Sequence, residues 1–275
     1  FILGGEIIVQ FSVIKKNSLV SDFRMDAECY KGIYITIGEK LKKSNCVLLG
    51  DQVRKLCKGI FEIKAGCYRE TGIPFVRISD LDNCFIDESK IAYIPESEHT
   101  KHINSALGPG DIVLSKTAYP AAALVDFVCN CSQDTVAVQL RNDAVIESEF
   151  LVVFLNSKYG HYQMVRWFTG NIQMHLNLTD TKNIIIPVLS NEIQGIIKSL
   201  FWEGFNLKKK SLERFKATQS KLLEEVELLK WCPKRQSIFT KKYSDTAKAE
   251  RIDAEYFQPK YDELLEQVKG YPGGW

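Results

Sequence analysis

No two of the eight prolines are adjacent, so the chain has no D-P-P-Y-like loop of the kind that holds a flipped base for methyl transfer. It also lacks a glycine-rich turn for a methyl donor; "FILGGE" near the amino end is too poor a match. G-x-S-x-G, H-E-x-x-H and G-x-x-x-x-G-K-[ST] are absent as well, which removes the common signatures of acyl transfer, zinc hydrolysis and nucleotide hydrolysis. No apolar run approaches the ~20 residues of a membrane-spanning helix. "FILGGEIIVQF" has neither a basic leader nor a small-residue cleavage site, so it reads as a strand rather than a signal peptide. There is no C-x-x-C pair. Eight irregularly spaced cysteines in 275 residues point to reduced thiols and a cytoplasmic protein rather than a disulfide frame. Cys129 and Cys131, two apart in a strand-like run, are expected on one face as buried thiols. His99 and His102 form H-x-x-H without further ligands nearby, which reads as a solvated loop and not a metal site.

What remains is an ordinary globular composition, 45% hydrophobic and 25% charged, with a net charge of +2. The distribution of charge is more telling. Residues 45–187 carry 13 basic and 16 acidic residues, whereas residues 205–248 carry 12 and 5. Asp82, Glu88 and Lys90, and likewise Asp51, Glu62 and Lys64, imitate a nuclease metal site, but E-x-K is a frequent match in so charged a chain and these read as solvated turns.

The pattern along residues 45–187 is that of a mixed unit. "LLGDQVRKLCKG" suggests a short helix ending at Gly59. "GIPFVRISDL" and "GPGDIVLSK" each open on a glycine-proline turn and run on as strands. "AAALVDFVC" and "DTVAVQLR" are strand-like. "SEFLVVFLNSKYGHYQMVRWF" has helical spacing broken or bent near Gly160, and "KNIIIPV" is a strand stopped by Pro187. From Asn191 to Trp231 there is no proline. Ile193, Leu200 and Leu207, then Phe215, Leu222 and Leu229, recur at sevens, with Ile196, Ile197, Leu212 and Val226 widening the stripe. This predicts a long amphipathic helix capped by Ser190 or Asn191 and stopped by Pro233, roughly 60 Å at ~1.5 Å per residue. Its outer half, around Leu222, Val226 and Leu229, calls for another helix.

The chain also repeats itself. Arg24, Asp26, Ala27, Glu28, Tyr34, Glu39 and Lys42 recur as Arg251, Asp253, Ala254, Glu255, Tyr261, Glu266 and Lys269, all at an offset of 227. That offset is too long for a solenoid and suits a duplicated module. The expected organisation is an N-terminal strand and R-x-D-A-E segment (1–44), a mixed domain (45–187), a long helix (188–232), and the start of a second repeat with its own strand (233–275).

"GIPFVRISDLDNCFIDESKIAYI", "GPGDIVLSKTAYPAA", "FLVVFLNSKYGHYQMVRWFTGNIQMHLNLTDTKNIIIPV" and "SNEIQGIIKSLF" resemble, in order, the landmarks of the specificity subunit of type I restriction–modification enzymes. The resemblance covers roughly residues 45–230, and the R-x-D-A-E-Y segment is similar to the entry of such modules. It implies an α+β fold: a target-recognition domain followed by a coiled-coil-like spacer helix, a pair that usually occurs twice in one chain. Only one recognition domain is present here. The implied function is noncatalytic. The chain would read one half of a bipartite site on double-stranded DNA and dock methyltransferase subunits, with the restriction subunit as a further partner. A homodimer through the helix, no cofactor, no metal and no membrane complete the expectation.

The candidate DNA contacts are Arg77 and Ser79; Lys116, Thr117 and Tyr119; and Arg166, Thr169, Asn171, Gln173 and His175. Asn and Gln suit adenine edges, and Arg suits guanine or phosphate. Lys208, Lys209 and Lys210 suit phosphate as flexible point charges. Leu207, Phe215, Leu222, Val226 and Leu229 are the expected helix interface. Two alternatives stay open: the specificity region of a fused restriction–methylation enzyme, and a helix-mediated interaction scaffold with no DNA role.

Overall fold

The computed structural model describes residues 12–16, 19, 24–117, 119–169, 175–232 and 236–271. The chain divides into two units, residues 1–203 and 204–275. In the first, a 3-10 turn at Ala27–Tyr30 precedes α1 (Gly32–Lys42), then β1 (Cys46–Leu48), α2 (Leu49–Gln52) and β2 (Val53–Lys58). Next come β3 (Ile73–Val76), the short pair β4 (Leu81–Asp82) and β5 (Phe85–Ile86), β6 (Ala92–Ile94) and α3 (Glu96–Lys101). Strands β7 (Ile112–Ser115), β8 (Ala122–Leu124), β9 (Asn130–Cys131) and β10 (Thr135–Leu140) lead to α4 (Ser148–Asn156), α5 (Lys158–Trp167), α6 (Leu178–Lys182) and β11 (Ile185–Pro187). Helix α7 (Asn191–Glu225) runs from the first unit into the second, which also holds α8 (Tyr243–Ala249) and α9 (Pro259–Lys269).

The β-branched runs pair antiparallel in the order β2-β10-β7-β8, the main sheet. Its residues alternate between two cores, as a period of two requires when both faces are covered. Ile112, Leu114, Val136 and Val138 pack with Phe150, Leu151 and Leu155 of α4, Trp167 of α5, and Ile37 and Leu41 of α1. Val113, Ala123 and Ala137 pack on the other side with Val76, Cys129 and Cys131, which belong to or border a second sheet in the order β6-β3-β9. The layers are thus helices, main sheet, small sheet: the α+β class expected. Cys129 and Cys131 share one core, and burial pushes the Cys131 thiol up to about 12 and Cys129 higher still, so both are inert at neutral pH.

Four expectations need correction. "LLGDQVRKLCKG" is a single helical turn followed by strand β2, because Val53–Lys58 gains a full ladder against β10. His99 does not lie in a solvated loop: it is buried on α3, with Nδ1 3.5 Å from the Asn130 amide, which needs polar neighbours in the core. Helix α7 ends at Glu225, six residues before Trp231. Glu227 takes a left-handed φ of 57°, Leu228 N donates to Leu223 O at 2.7 Å, and Glu227 N donates to Glu224 O at 3.0 Å. That is a Schellman ending, and it leaves Val226 and Leu229 beyond the helix. At the other end Ser190 Oγ accepts from Ile193 N at 3.4 Å, as expected of a cap. The strand expected after Pro233 is irregular backbone over residues 236–242 with Ile238 exposed, since no neighbouring strand pairs with it.

The helical run is broken near Gly160 as its spacing predicts, and the break falls at Ser157, which caps α5 by accepting from Gly160 N. Gly160 serves close approach instead: a Cβ there would sit 2.3 Å from Phe154 O and 2.4 Å from Leu155 Cα. Gly160→Ala is therefore expected to cost about 2–3 kcal/mol of stability through overpacking. Gly195→Ala, on α7 with open space around it, should gain about 0.5–1 kcal/mol. Urea unfolding followed by circular dichroism measures both; equal effects would refute the close-packing account.

Candidate nucleic-acid interface

Antiparallel pairing places the end of one strand beside the start of the next. Thr135, at the start of β10, lies opposite Ser115, and Val136 lies opposite Lys58. The parallel pair of β3 and β9 sets Val76 beside Cys131. The chain that leaves β2, β3 and β7 and the chain that enters β10 therefore meet at one edge. Backbone bonds tie them: Gly59 N to Thr135 O at 3.2 Å, Ile60 N to Cys131 O at 2.7 Å, Ser132 N to Val76 O at 2.9 Å, and Lys116 N to Asp134 O at 2.8 Å. Only glycine fits at position 59, where a Cβ would lie 2.1 Å from Ser132 O.

Three groups separated in sequence arrive at this edge. The Tyr119 hydroxyl donates to Ile78 O at 3.4 Å, which joins the stretch 116–119 to the stretch 77–79. Leu176 N donates to Lys116 O at 2.8 Å, and Thr117 bridges His175. Thr169 and His175 exchange both backbone bonds, at 2.9 and 2.7 Å. Asn171 and Gln173 lie outside the described residues.

The side chains differ in what they have left to offer. Arg77 donates through Nε and Nη2 to the buried Asp80 carboxylate at 3.1 and 3.0 Å, and through Nη2 to Lys90 O at 2.8 Å. That hydrogen bonding to Asp80 holds the guanidinium above its ordinary pKa and leaves Nη1 without a partner among the described residues. The Ser79 hydroxyl donates to Asp80 as well, at 3.1 Å. Thr117 is buried and acts as scaffold, whereas Tyr119 and Thr169 are exposed. Lys116 is half-buried, and burial, reinforced by the neighbouring Lys58, lowers its pKa. Arg166 is engaged elsewhere: Nε donates to Cys29 O at 3.0 Å, and the guanidinium packs 5.8 Å from the Tyr30 ring and 5.4 Å from the Trp167 ring. Sequence reasoning missed Lys58, beside Lys116. It also missed Tyr68 and Gln133, which line a cleft of about 710 Å³ with Lys64, Arg77 and Ser79. In the sequence Lys64 stands out only within an E-x-K match; the strand register is the signal that unites the set.

On α7, Lys209 and Lys210 are exposed and Lys208 is half-buried. Ile193, Ile196, Leu200, Leu207, Leu212, Phe215 and Leu222 form an exposed apolar series, Phe215 at 68%. Among the described residues no group of three or more His, Cys, Asp or Glu is arranged to hold a metal, and no helix is long and apolar enough to cross a membrane.

Neither a protein-family model nor a curated protein matches the sequence. Among solved structures, the chain is similar to the HsdS subunit from Thermoanaerobacter tengcongensis at 15% identity and a TM-score of 0.41, covering 70% of this chain and 48% of that one. It is similar to the type I restriction-modification system S subunit from M. genitalium at 14% and 0.46, covering 67% and 45%. Similarity to the type IIG restriction endonuclease BpuSI is 11% and 0.49, covering 64% and 28%. The chain spans half or less of the length of each.

The geometry around Asp80 makes a direct prediction. Its carboxylate binds Arg77 N, Nε and Nη2, so Asp80→Ala should lower stability by about 2–3 kcal/mol, by stranding those donors. Ser79→Ala, at an exposed hydroxyl, should change it by less than about 0.5 kcal/mol. Denaturant midpoints of the two variants decide this; a mild Asp80→Ala would mean the carboxylate does not hold the loop.

Proposed function

We propose that this chain is the noncatalytic DNA-recognition subunit of a type I restriction–modification system, reading one half of a bipartite site and docking methyltransferase subunits. The observation that carries this reading is the convergence at one sheet edge of the stretch 77–79 with Lys116, Thr117, Tyr119, Thr169 and His175, residue types fit to touch DNA. A rigid sheet that presents polar loops from several strand ends is a suitable reader of base edges, and the division of labour follows from chemistry. Asn171 and Gln173 carry directional amides and lie in sequence between the paired Thr169 and His175. Lys116 with Lys58, and Lys209 with Lys210, supply positive charge for phosphate. An acidic balance over residues 45–187 disfavours indiscriminate binding, so specificity rests on these local groups.

The two kinds of contact should fail differently. Gln173→Ala is expected to cost ~1–3 kcal/mol on the selected site and little on random duplex, relaxing one base position. Lys209→Ala should weaken both duplexes alike and lower the salt slope by about one unit. The measurement is titration of the chain assembled with its methyltransferase against both duplexes at several salt concentrations. Equal weakening by Gln173→Ala moves the reader to Lys116–Tyr119, and no preference for any sequence leaves only the scaffold reading.

The exposed stripe on α7 supports self-association through that helix. Because Val226 lies past the helix end, the decisive pair is Phe215 and Leu222. Phe215→Lys with Leu222→Lys should yield a folded monomer by sedimentation at low micromolar concentration. A wild type that is monomeric at tens of micromolar, an ordinary working range for weak dimers, sinks the homodimer.

A further inference from the structure

The repeat at offset 227 is a repeat of conformation as well as of sequence. Asp26 Oδ1 accepts from Cys29 N at 3.1 Å, and Asp253 Oδ1 accepts from Tyr256 N at 3.0 Å. Arg24 and Arg251 each pair through Nε with the aspartate two residues on. Helix α1 spans Gly32–Lys42 and α9 spans Pro259–Lys269, the same positions after adding 227.

The two copies differ in what covers them. In the first, Arg24 donates through Nη1 to Arg166 O at 3.3 Å and through Nη2 to Phe168 O at 2.9 Å, so it grips the carboxyl end of α5. Tyr34, Ile37 and Leu41 are buried, with the Tyr34 ring 6.0 Å from that of Tyr162. In the second, the Nη groups of Arg251 meet no acceptor among the described residues, and the guanidinium rests 4.3 Å from the Tyr256 ring. Tyr261, the counterpart of Tyr34, is exposed. Arg251, Tyr256, Phe257, Tyr261 and Leu265 line an open groove of about 840 Å³.

One substitution within the repeat indicates what fits there. Leu265 stands where the first copy has Gly38. A Cβ on Gly38 would meet Arg166 Nη1 at 3.8 Å, an ordinary contact. Beside it, Gly38, Arg166, Trp167 and Ile185 border a cavity of about 490 Å³. A leucine at that helix position enters the space that glycine leaves open. The second copy keeps the arginine, aspartate and tyrosine that hold the first on α5, and adds a side chain where the first has none.

We propose that residues 251–269 are a second latch, which takes the α5 seat of another copy of this chain and displaces that copy's residues 24–42. Exchange of equivalent segments conserves most contacts, which makes it a low-cost route to a dimer. The displaced segment has the advantage of being tethered, worth a high effective concentration, and Leu265 in the cavity offsets it. Exchange is then favoured as protein concentration rises. This inference is independent of the DNA reading.

Hydrogen exchange of the full chain at low and high micromolar concentration tests it. The expected result is that amides of α9 become about tenfold slower to exchange at high concentration while those of α1 become faster in step. Leu265→Glu, at an exposed position that does not endanger folding, should abolish both shifts. Phe215→Lys with Leu222→Lys should leave them intact, which separates this association from pairing through α7. Exchange in α9 that is indifferent to concentration overturns the proposal and leaves the groove to a domain outside this chain. Protection of α9 with α1 unchanged, or a shift that survives Leu265→Glu, overturns it as well.

Discussion

Strand β10 is the constraint on which the first unit depends. It is hydrogen-bonded on both sides, to β2 and to β7, and buried on both faces, with Val136 and Val138 against the helices and Ala137 against the small sheet. Because its period of two commits every residue to one core or the other, a slip by one residue would exchange the two cores at once. The same register decides the edge. Asp134 and Thr135 sit where they do because Thr135 faces Ser115, and Lys116 is thereby held beside the start of β10.

Much of this was legible in the sequence, for a physical reason. β3, β7, β8, β10 and β11 carry their own turn chemistry and β-branched runs, and Ser190 with its apolar series announces α7. What was not legible depends on partners far away along the chain. The run at Val53–Lys58 becomes a strand only because β10 offers it a ladder, and His99 is buried because Asn130 is. The end of α7 was missed because Glu227 takes a backbone conformation that sequence reading reserves for glycine. At the site, the candidates were chosen as separate clusters; their meeting is a product of register and could not be counted from spacing. The engagement of Arg77 with Asp80, and of Arg166 with Cys29, is likewise tertiary.

Two kinds of basic residue emerge from that comparison. Arg24, Arg77 and Arg166 have their donors directed to carboxylates and carbonyls of the protein itself, and they fasten loops and termini. The lysines at positions 58, 64, 209 and 210 are exposed and carry mobile charge. The planar fork suits a fixed architectural bond, and the flexible ammonium suits a ligand whose phosphates it must follow.

The pairing of Thr169 with His175 has a consequence for how such a surface can diversify. Its bonds run between main-chain N–H and C=O groups. Every residue except proline supplies both, so the clasp is blind to side-chain identity. Either position can therefore change its side chain, proline apart, and keep the pair. Inheritance can rewrite the chemistry displayed at positions 169 and 175 while the frame that holds them persists.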